Sequence, residues 1–234
     1  MTNEKFQNTV RLWWHLQVAN RVIFFRESMR HWMEIGSAFP TGTPWRRKAL
    51  AASFAHCPKA ELVVIHGIGC GELLVSMLAH IRRHNLRVGE ILIMDTNPQF
   101  ISRAKKLSML MRDLNRCGTK IRFACMDAMG TEAYLQDKGL PKADIVFGMI
   151  PYTNMPEQLD QWVQLYAKIA KRFVCITYVK MVKRSSARRA TNRLMDLLQE
   201  HFPVVERNLV LSNIPPAYAI VASEKATHGD TTVH

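Results

Sequence analysis

From residue 61 onward, short apolar runs alternate with longer segments in which apolar residues recur three and four positions apart. The short runs have the length of buried strands, and the longer segments have the period of helices. Strands that are separated by helices pair in parallel through right-handed crossovers. The pattern therefore predicts an α/β domain on a parallel sheet, with strands in ELVVIHG, EILIMD, KIRFACMD, ADIVFGMIP and FVCITYVK.

The last part of the chain follows a different pattern. Two strand-like runs, VVERNLVLS and AYAIVAS, are separated by a few residues that include Pro215 and Pro216. So short a connection joins antiparallel strands, whereas a parallel pair needs a long crossover. We therefore expect an antiparallel hairpin to complete a mostly parallel, Rossmann-like sheet.

The first 60 residues lack this alternation. Residues 5–35 place apolar and aromatic residues near helical spacing, which predicts helix. The glycines and prolines of GSAFPTGTPWRRKAL predict a loop, and a helix is expected to follow through Phe54. These observations divide the chain into an N-terminal helical extension (1–58), a principal domain (59–225) and a flexible tail (226–234).

Size and composition exclude several classes of protein. The chain has 234 residues, of which 48% are hydrophobic, enough for a packed domain. No apolar run approaches the roughly 18 residues of a membrane span, and the N-terminal residues lack the basic-then-apolar layout of a secretory signal. The five cysteines are scattered and form no CxxC pair, so neither a disulfide framework nor a metal site is expected. A reducing, cytoplasmic compartment fits best.

The net charge of +13 indicates an acidic partner, most simply nucleic acid. Between Asp160 and Asp196 there is no acidic residue, while nine lysines and arginines occur there. Such a block suits a phosphate backbone, although solvated charge, an acidic protein or a membrane surface would also account for it. The candidate phosphate contacts are Arg46, Arg47, Lys48, Lys183, Arg184, Arg188 and Arg189.

Three alternate glycines, Gly67, Gly69 and Gly71, stand where the first predicted strand gives way to a helix. Glycines at such a turn let a ligand approach the backbone and expose N–H groups at the positive end of the helix. A tight turn without a ligand is the structural alternative. His66, directly before the loop, ends the strand.

Aspartates end the next two predicted strands, as Asp95 in ILIMD and Asp127 in FACMD. Ligands of open parallel sheets bind outside the carboxyl ends of the strands, where a carboxylate can accept hydrogen bonds from a ribose diol. Either aspartate alone could instead cap a helix. Together, after a glycine loop, they favour a ligand that contains a nucleoside.

Over residues 61–223 the sequence resembles class I S-adenosylmethionine-dependent methyltransferases, on the segments HGIGCG, IMDTNPQFISRAKKL, RFACMDAM, DIVFGMIPY and the final hairpin. The resemblance implies a seven-stranded sheet and S-adenosylmethionine as cofactor. It places the glycines against the methionine part, Asp95 on the ribose and Asp127 on the adenine, which Met126 and Ala128 would flank. His66 replaces the family's usual acidic residue; it either holds the methionine end differently or weakens the site.

Two segments resemble acceptor-binding motifs of different methyltransferases. Pro151 and Tyr152 resemble the Pro-aromatic pair of enzymes that methylate base amino groups, in which the aromatic ring stacks on a flipped base. The C-terminal part is also similar to FtsJ-like RNA ribose methyltransferases, which implies that Lys180 deprotonates a hydroxyl. The polar residue before the first motif is not evident. Of the second family's catalytic Lys-Asp-Lys-Glu set, the aspartate aligns near Met149, no clear glutamate is found, and the first lysine could be Lys48. A core or surface aromatic and a surface lysine are the structural alternatives.

These features lead to one hypothesis and two alternatives. The main hypothesis is a methyltransferase that modifies RNA at a ribose hydroxyl or a base amine. The first alternative is a methyltransferase-like RNA-binding or assembly module with little catalysis, and the second is a small-molecule methyltransferase. Neither a membrane nor a metal is expected as a partner.

Overall fold

The computed structural model describes Val22, Arg26 and residues 41–55, 57–114, 118–150, 152, 155–178, 185–213 and 216–224. Val22 and Arg26 are helical; the rest of the helix predicted over 5–35, and the predicted tail at 226–234, lie outside these residues. The helices are α1 (Thr43–Phe54), α2 (Glu72–Arg83), α3 (Pro98–Leu114), α4 (Thr131–Asp137), α5 (Leu159–Ile169) and α6 (Ser185–His201). The strands are β1 (Lys59–His66), β2 (Arg87–Asp95), β3 (Lys120–Cys125), β4 (Ile145–Gly148), β5 (Arg172–Tyr178), β6 (Val204–Val210) and β7 (Ala217–Ser223).

The seven strands form one sheet in the order β3-β2-β1-β4-β5-β7-β6. Strands β1 to β5 pair in parallel, and β7 pairs antiparallel with both β5 and β6. The predicted fold class is therefore confirmed, including the C-terminal hairpin. We call the side on which β1 to β5 end the carboxyl edge, and the opposite side the amino edge.

Both faces of the central strands are buried, which explains why they read as continuous apolar runs. Successive strand residues point to opposite faces, so Val63 and Ile65 join one core and Leu62 and Val64 the other. The first core contains side chains of α1, α2 and α3, and the second those of α4, α5 and α6.

Helix α1 begins at Thr43, inside the stretch that the sequence predicted as loop. Pro44 lies in its first turn, where the missing N–H has no intrahelical partner to lose. The indole of Trp45 donates to the carbonyl of Tyr218 at 3.0 Å, and Arg172 donates to the carbonyl of Ser53 at 2.5 Å. The first bond lies at the carboxyl edge and the second at the amino edge. Helix α1 therefore crosses one face of the sheet over β5 and β7. The division of the chain into an N-terminal extension, a principal domain and a tail stays a prediction.

Two further observations concern only the part of the chain that the structure describes. Its helices are too short or too polar to traverse a bilayer. It also contains no group of three or more His, Cys, Asp or Glu side chains arranged to hold a metal ion.

Candidate functional site

The carboxyl ends of β1, β2 and β4 lie side by side. His66, the last residue of β1, is in register with Met94 of β2 and Gly148 of β4. The chain leaves β1 for β2 and β3 on one side and returns to β4 on the other, so the strand order reverses at β1. Ligands bind open α/β sheets at such a switch point, which places the candidate site above β1.

The loop after β1 requires glycine for geometric reasons. Gly67, Gly69 and Gly71 have φ angles of +75°, +54° and +85°, in the left-handed region that other residues rarely adopt. A Cβ on Gly67 would lie 2.9 Å from the carbonyl oxygen of Met149, and one on Gly71 would lie 3.0 Å from Leu107. The loop therefore presents bare backbone and lies tightly against its neighbours. Both the turn and the ligand interpretation agree with this geometry.

Asp95 connects the end of β2 to the glycine loop. Its carboxylate accepts hydrogen bonds from the backbone N–H of Gly69 at 3.3 Å and of Asn97 at 2.9 Å. The residue is only 9% exposed. Burial raises the pKa of Asp95, and the backbone donors partly oppose that shift. Each carboxylate oxygen accepts more than one hydrogen bond, so this group can also receive hydroxyl donors.

The turn between β3 and α4, residues 126–130, forms the next wall of the candidate site. Asp127 caps a 3₁₀ turn, Ala128–Gly130, by accepting from the N–H of Met129 at 2.8 Å. Ala128 is buried, whereas Met126 is 41% and Met129 49% exposed. Asp127 thus has the capping role that the sequence left open. The exposed thioethers provide a polarisable apolar surface.

These residues fit the cofactor that the sequence resemblance implies. The loop at Gly67–Gly71 lets a ligand approach the backbone, and Asp95 offers acceptor capacity beside it. The thioether of Met126 provides apolar surface for a flat ring. S-adenosylmethionine combines a polar amino-acid end, a ribose diol and an adenine, so the three features match its three parts.

His66 does not face this site, which corrects the prediction of a cofactor contact by its side chain. The residue is 1% exposed, and both ring nitrogens have protein partners. Nδ1 lies 3.3 Å from the hydroxyl of Tyr166, and Nε2 lies 2.8 Å from the hydroxyl of Thr131. Burial lowers the pKa of His66 to about 3, so the ring is neutral near pH 7.

Tyr152 is also directed inward, as the core alternative for this aromatic expects, and its stacking on a base stays a prediction. It is 3% exposed, and its ring packs edge-on against Tyr166 and Phe173 with centroid distances of 6.4 and 6.3 Å. Its hydroxyl occupies the space that a Cβ on Gly148 would need. Gly148 is therefore required by packing. Pro151 lies outside the described residues.

Arg46 is a buried structural residue, which corrects its assignment to a phosphate-binding surface. Its guanidinium pairs with Glu72, the first residue of α2, at 2.6 Å. It also donates to Ser76 and Thr43, each at 2.9 Å, and to the carbonyl of Thr41. The side chain is 9% exposed. Arg46 thus ties α1 to the helix that follows the glycine loop.

The remaining described basic candidates form two exposed pairs. Arg47 and Lys48 lie in the first half of α1, and Arg188 and Arg189 in the first turns of α6. Both helices begin at the carboxyl edge, on opposite faces of the sheet. The other candidates, Lys180, Lys183 and Arg184, lie outside the described residues.

The sequence interpretation missed Thr131 and Tyr166, which hold His66. These residues come from α4 and α5, 65 and 100 positions further along the chain. Helical spacing marks Tyr166 only as a core aromatic, and Thr131 only as the first residue of a short helix. A polar residue at the end of a buried strand was the available signal that such partners exist.

No protein-family model matches the sequence, and no curated protein matches it. Solved structures nevertheless share its fold. The O-methyltransferase from Bacillus cereus in complex with SAH is similar with a TM-score of 0.56 at 8% identity, over 88% of this chain and 91% of that chain. The small RNA methyltransferase HEN1 gives a TM-score of 0.53 at 14% identity, over 84% of this chain and 28% of that chain.

The bifunctional kinase-methyltransferase WbdD gives a TM-score of 0.52 at 11% identity, over 77% of this chain. This chain spans 38% of WbdD, well under half of its length. At such identities the likeness concerns the fold, and the specific resemblance to FtsJ-like enzymes stays a prediction. The strand order, the hairpin and these neighbours together show that the chain has the fold of class I S-adenosylmethionine-dependent methyltransferases.

Proposed function

We propose that this protein binds S-adenosylmethionine and transfers its methyl group to RNA. The observation that carries the proposal is the meeting of the glycine loop, Asp95 and the β3–α4 turn at the switch point of the sheet. When bound, the cofactor supplies a methyl group on a positively charged sulfur, which a nucleophile of the acceptor removes. The task of the protein is chiefly to position the two reactants.

The chain's own residues divide the binding of the cofactor among them. In this proposal the backbone of Gly67–Gly71 lies along the methionine part, and Asp95 accepts hydrogen bonds from the ribose hydroxyls. Those donors oppose the burial that raises the pKa of Asp95, and so favour its ionised form. Met126 and Ala128 flank the adenine, and Asp127, whose Oδ1 caps the turn, has a second carboxylate oxygen for the base edge.

The two exposed basic pairs support RNA as the acceptor. Arg47 with Lys48 and Arg188 with Arg189 lie at the edge that carries the candidate site, one pair on each face of the sheet. A strand that crosses the edge above β4 and β5 would meet positive charge on both sides. The net charge of +13 favours association with phosphates and predicts salt-sensitive binding.

The acceptor atom is a ribose hydroxyl or a base amine. Lys180 follows the end of β5 by two residues and is the proposed base for a hydroxyl. Pro151 follows β4 and is the proposed contact for an amine, whose methylation needs no strong base. The methylated nucleoside separates these routes, because a 2′-O-methyl group blocks alkaline cleavage of the adjacent phosphodiester bond.

The cofactor half of the proposal is tested by calorimetric titration with S-adenosylhomocysteine. We expect saturable binding to the wild-type chain and binding about 100-fold weaker to an Asp95→Ala variant. The absence of a heat signal for the wild type at millimolar ligand would contradict cofactor binding. Transfer of a labelled methyl group to cellular RNA, again with Asp95→Ala as the control, then tests catalysis.

The RNA half is tested by reversing charge at the carboxyl edge. The double variant Arg188→Glu/Arg189→Glu is expected to weaken RNA binding about tenfold or more at 0.1 M salt. Arg83→Glu/Arg87→Glu is the matched control, since it changes the net charge equally but lies at the amino edge. Equal losses in the two variants would mean that only the total charge matters.

A methyltransferase-like RNA-binding module is the second candidate. The inward orientation of Tyr152 and His66 favours it, because neither side chain is presented to a substrate. This candidate predicts RNA binding without methyl incorporation. Clear incorporation that disappears in Asp95→Ala would exclude it, and full activity of the Arg188→Glu/Arg189→Glu variant would instead favour a small-molecule acceptor.

A further inference from the structure

A chain of hydrogen bonds leads from the core to the β3–α4 turn. The hydroxyl of Tyr166 lies 3.3 Å from Nδ1 of His66, whose Nε2 lies 2.8 Å from Oγ1 of Thr131. That hydroxyl lies in turn 2.7 Å from the carbonyl oxygen of Ala128. The chain therefore joins α5, the end of β1 and the turn that carries Asp127.

The direction of every bond in this chain follows from its last member. Thr131 Oγ1 has two acceptors of its single proton, the carbonyl of Ala128 at 2.7 Å and the thioether sulfur of Met94 at 3.2 Å, and the carbonyl is the shorter and stronger one. Thr131 must then accept from His66, which places the ring proton on Nε2. Nδ1 is left as an acceptor for the hydroxyl proton of Tyr166. The four groups thus fix one tautomer of a neutral imidazole.

The groups in this chain of hydrogen bonds are buried from solvent, so the loss of any one partner would cost free energy of folding. His66 is 1% exposed, Thr131 and Tyr166 are each 0% exposed, and Ala128 is 7% exposed. A buried polar group that loses its partner keeps the full cost of desolvation. The favourable way to satisfy all four groups is to keep the β3–α4 turn at a fixed distance from β1. Gly67 follows His66 directly, so the same constraint fixes the turn relative to the glycine loop.

We propose that His66 is a positioning residue for the cofactor: through Thr131 it sets the β3–α4 turn at the spacing from the glycine loop that an adenosyl group requires. This inference rests on the proposed function, since it assigns His66 a role in the same site. His66 acts without touching the ligand. Its substitution should therefore change cofactor affinity through the turn.

The donors and acceptors along this series of hydrogen bonds also explain why residue 66 is a histidine, although the family that the sequence resembles usually has an acidic residue there. A carboxylate at residue 66 could accept from Tyr166 but could not donate to Thr131. The Thr131 hydroxyl would then turn toward the carboxylate and release the carbonyl of Ala128. A glutamine, by contrast, has a carbonyl oxygen that accepts and an NH₂ group that donates, and can reproduce both contacts of the imidazole.

The test compares His66→Gln with His66→Met and Thr131→Val in titrations with S-adenosylhomocysteine. We expect His66→Gln to bind within about threefold of the wild type, and the other two variants to bind about tenfold or more weakly. The double variant His66→Met/Thr131→Val should be no weaker than either single variant, because both break the same chain. Adenosine alone should show the same order, since the turn contacts the adenine.

Two measurements keep the outcomes distinct. Nitrogen-15 NMR of the wild-type imidazole should show the Nε2–H tautomer, and the other tautomer or a charged ring would overturn the inference even if His66→Met fails to fold. Unchanged affinity in folded His66→Met and Thr131→Val would overturn it as well. If the wild type shows the expected tautomer but binds no S-adenosylhomocysteine, the proposed function is wrong, and the positioning role of His66, which rests on it, is overturned as well.

Discussion

His66 and Asp95 end neighbouring strands and are both almost fully buried, yet their hydrogen-bond partners differ in kind. His66 points toward α4 and α5, where protein groups occupy both ring nitrogens. Asp95 points toward the glycine loop and accepts from the backbone N–H groups of Gly69 in that loop and of Asn97 after β2. Burial lowers the pKa of the first and raises the pKa of the second, because in both cases it favours the neutral form.

The difference teaches that the face on which a polar residue at a strand end falls decides whether its partners are core side chains or loop backbone. Met94, the register partner of His66, shares its face, and Asp95 is one residue further along. Successive strand residues alternate between faces, so this single step turns the carboxylate from the core toward the loop. The carboxyl edge thus contains a polar group bound by core side chains beside one bound by backbone N–H groups.

The largest difference between the two residues is expected in cofactor binding. Asp95→Ala should weaken the binding of S-adenosylhomocysteine about 100-fold, roughly 2.7 kcal/mol, because charge-assisted hydrogen bonds to the ribose are lost. His66→Gln should leave the affinity nearly unchanged. Calorimetry measures the affinity of both variants for S-adenosylhomocysteine. Similar affinities would contradict the proposal that Asp95 contacts the ligand and His66 does not.

Acid should destabilise the protein through His66. Its pKa is about 3 when folded and about 6.5 when unfolded, so the unfolded chain binds the proton first as the pH falls. The stability that depends on the neutral ring is complete above pH 6.5 and is lost at up to about 1.4 kcal/mol per pH unit below it. Urea unfolding between pH 7 and 4.5 should show this slope for the wild type but not for His66→Gln. Parallel profiles would contradict the burial of a neutral ring.

Two glycines with positive φ separate the cost of backbone strain from the cost of a steric contact at the added Cβ. Gly67→Ala should cost about 3 kcal/mol of unfolding free energy, since it combines a positive φ with a contact to the Met149 carbonyl. Gly139→Ala, at a φ of +63° with nothing within 4 Å of its Cβ, should cost only about 1 to 2 kcal/mol. Equal costs from denaturant unfolding would mean that the loop yields to the added methyl group.

The smallest effect is expected from the titration of Asp95, with a sign opposite to that of His66. Its folded pKa lies above the unfolded value, so its contribution to stability is complete at pH values below the unfolded pKa and is lost as the pH rises through the folded pKa. Relative to Asp95→Asn, the wild type without ligand should therefore become less stable from acid toward neutral pH. Denaturant unfolding of the two chains checks the sign, and a wild type that loses stability relative to Asp95→Asn toward acid pH would contradict it.

The sheet was predictable because the period of apolar residues reports directly on strands, helices and their order. The glycine loop and Asp95 were predictable for a related reason: the place of a residue at a strand end follows from its position along the chain. The start of α1 was not, since Pro44 and Gly42 look like loop residues although the first turn of a helix accepts proline.

The orientation of side chains was the part that the sequence could not supply. Arg46 reads as one of three adjacent basic residues, and only Glu72 and Ser76, from another helix, reveal it as buried. Tyr152 reads as an aromatic residue beside a strand end, and only Phe173 and Tyr166 show that it faces the core. Partners that are distant in sequence decide whether such groups meet a ligand.

The bond between Trp45 and Tyr218 joins residues 173 positions apart, and α1 rests on β5 and β7, which are synthesised long after it. Closing so long a stretch of chain is entropically costly before the contact forms. During translation the indole therefore has no surface to cover it until the final hairpin leaves the ribosome. Helix α1 should accordingly be among the last elements of this domain to dock, because the strand that accepts from Trp45 is made long after the helix.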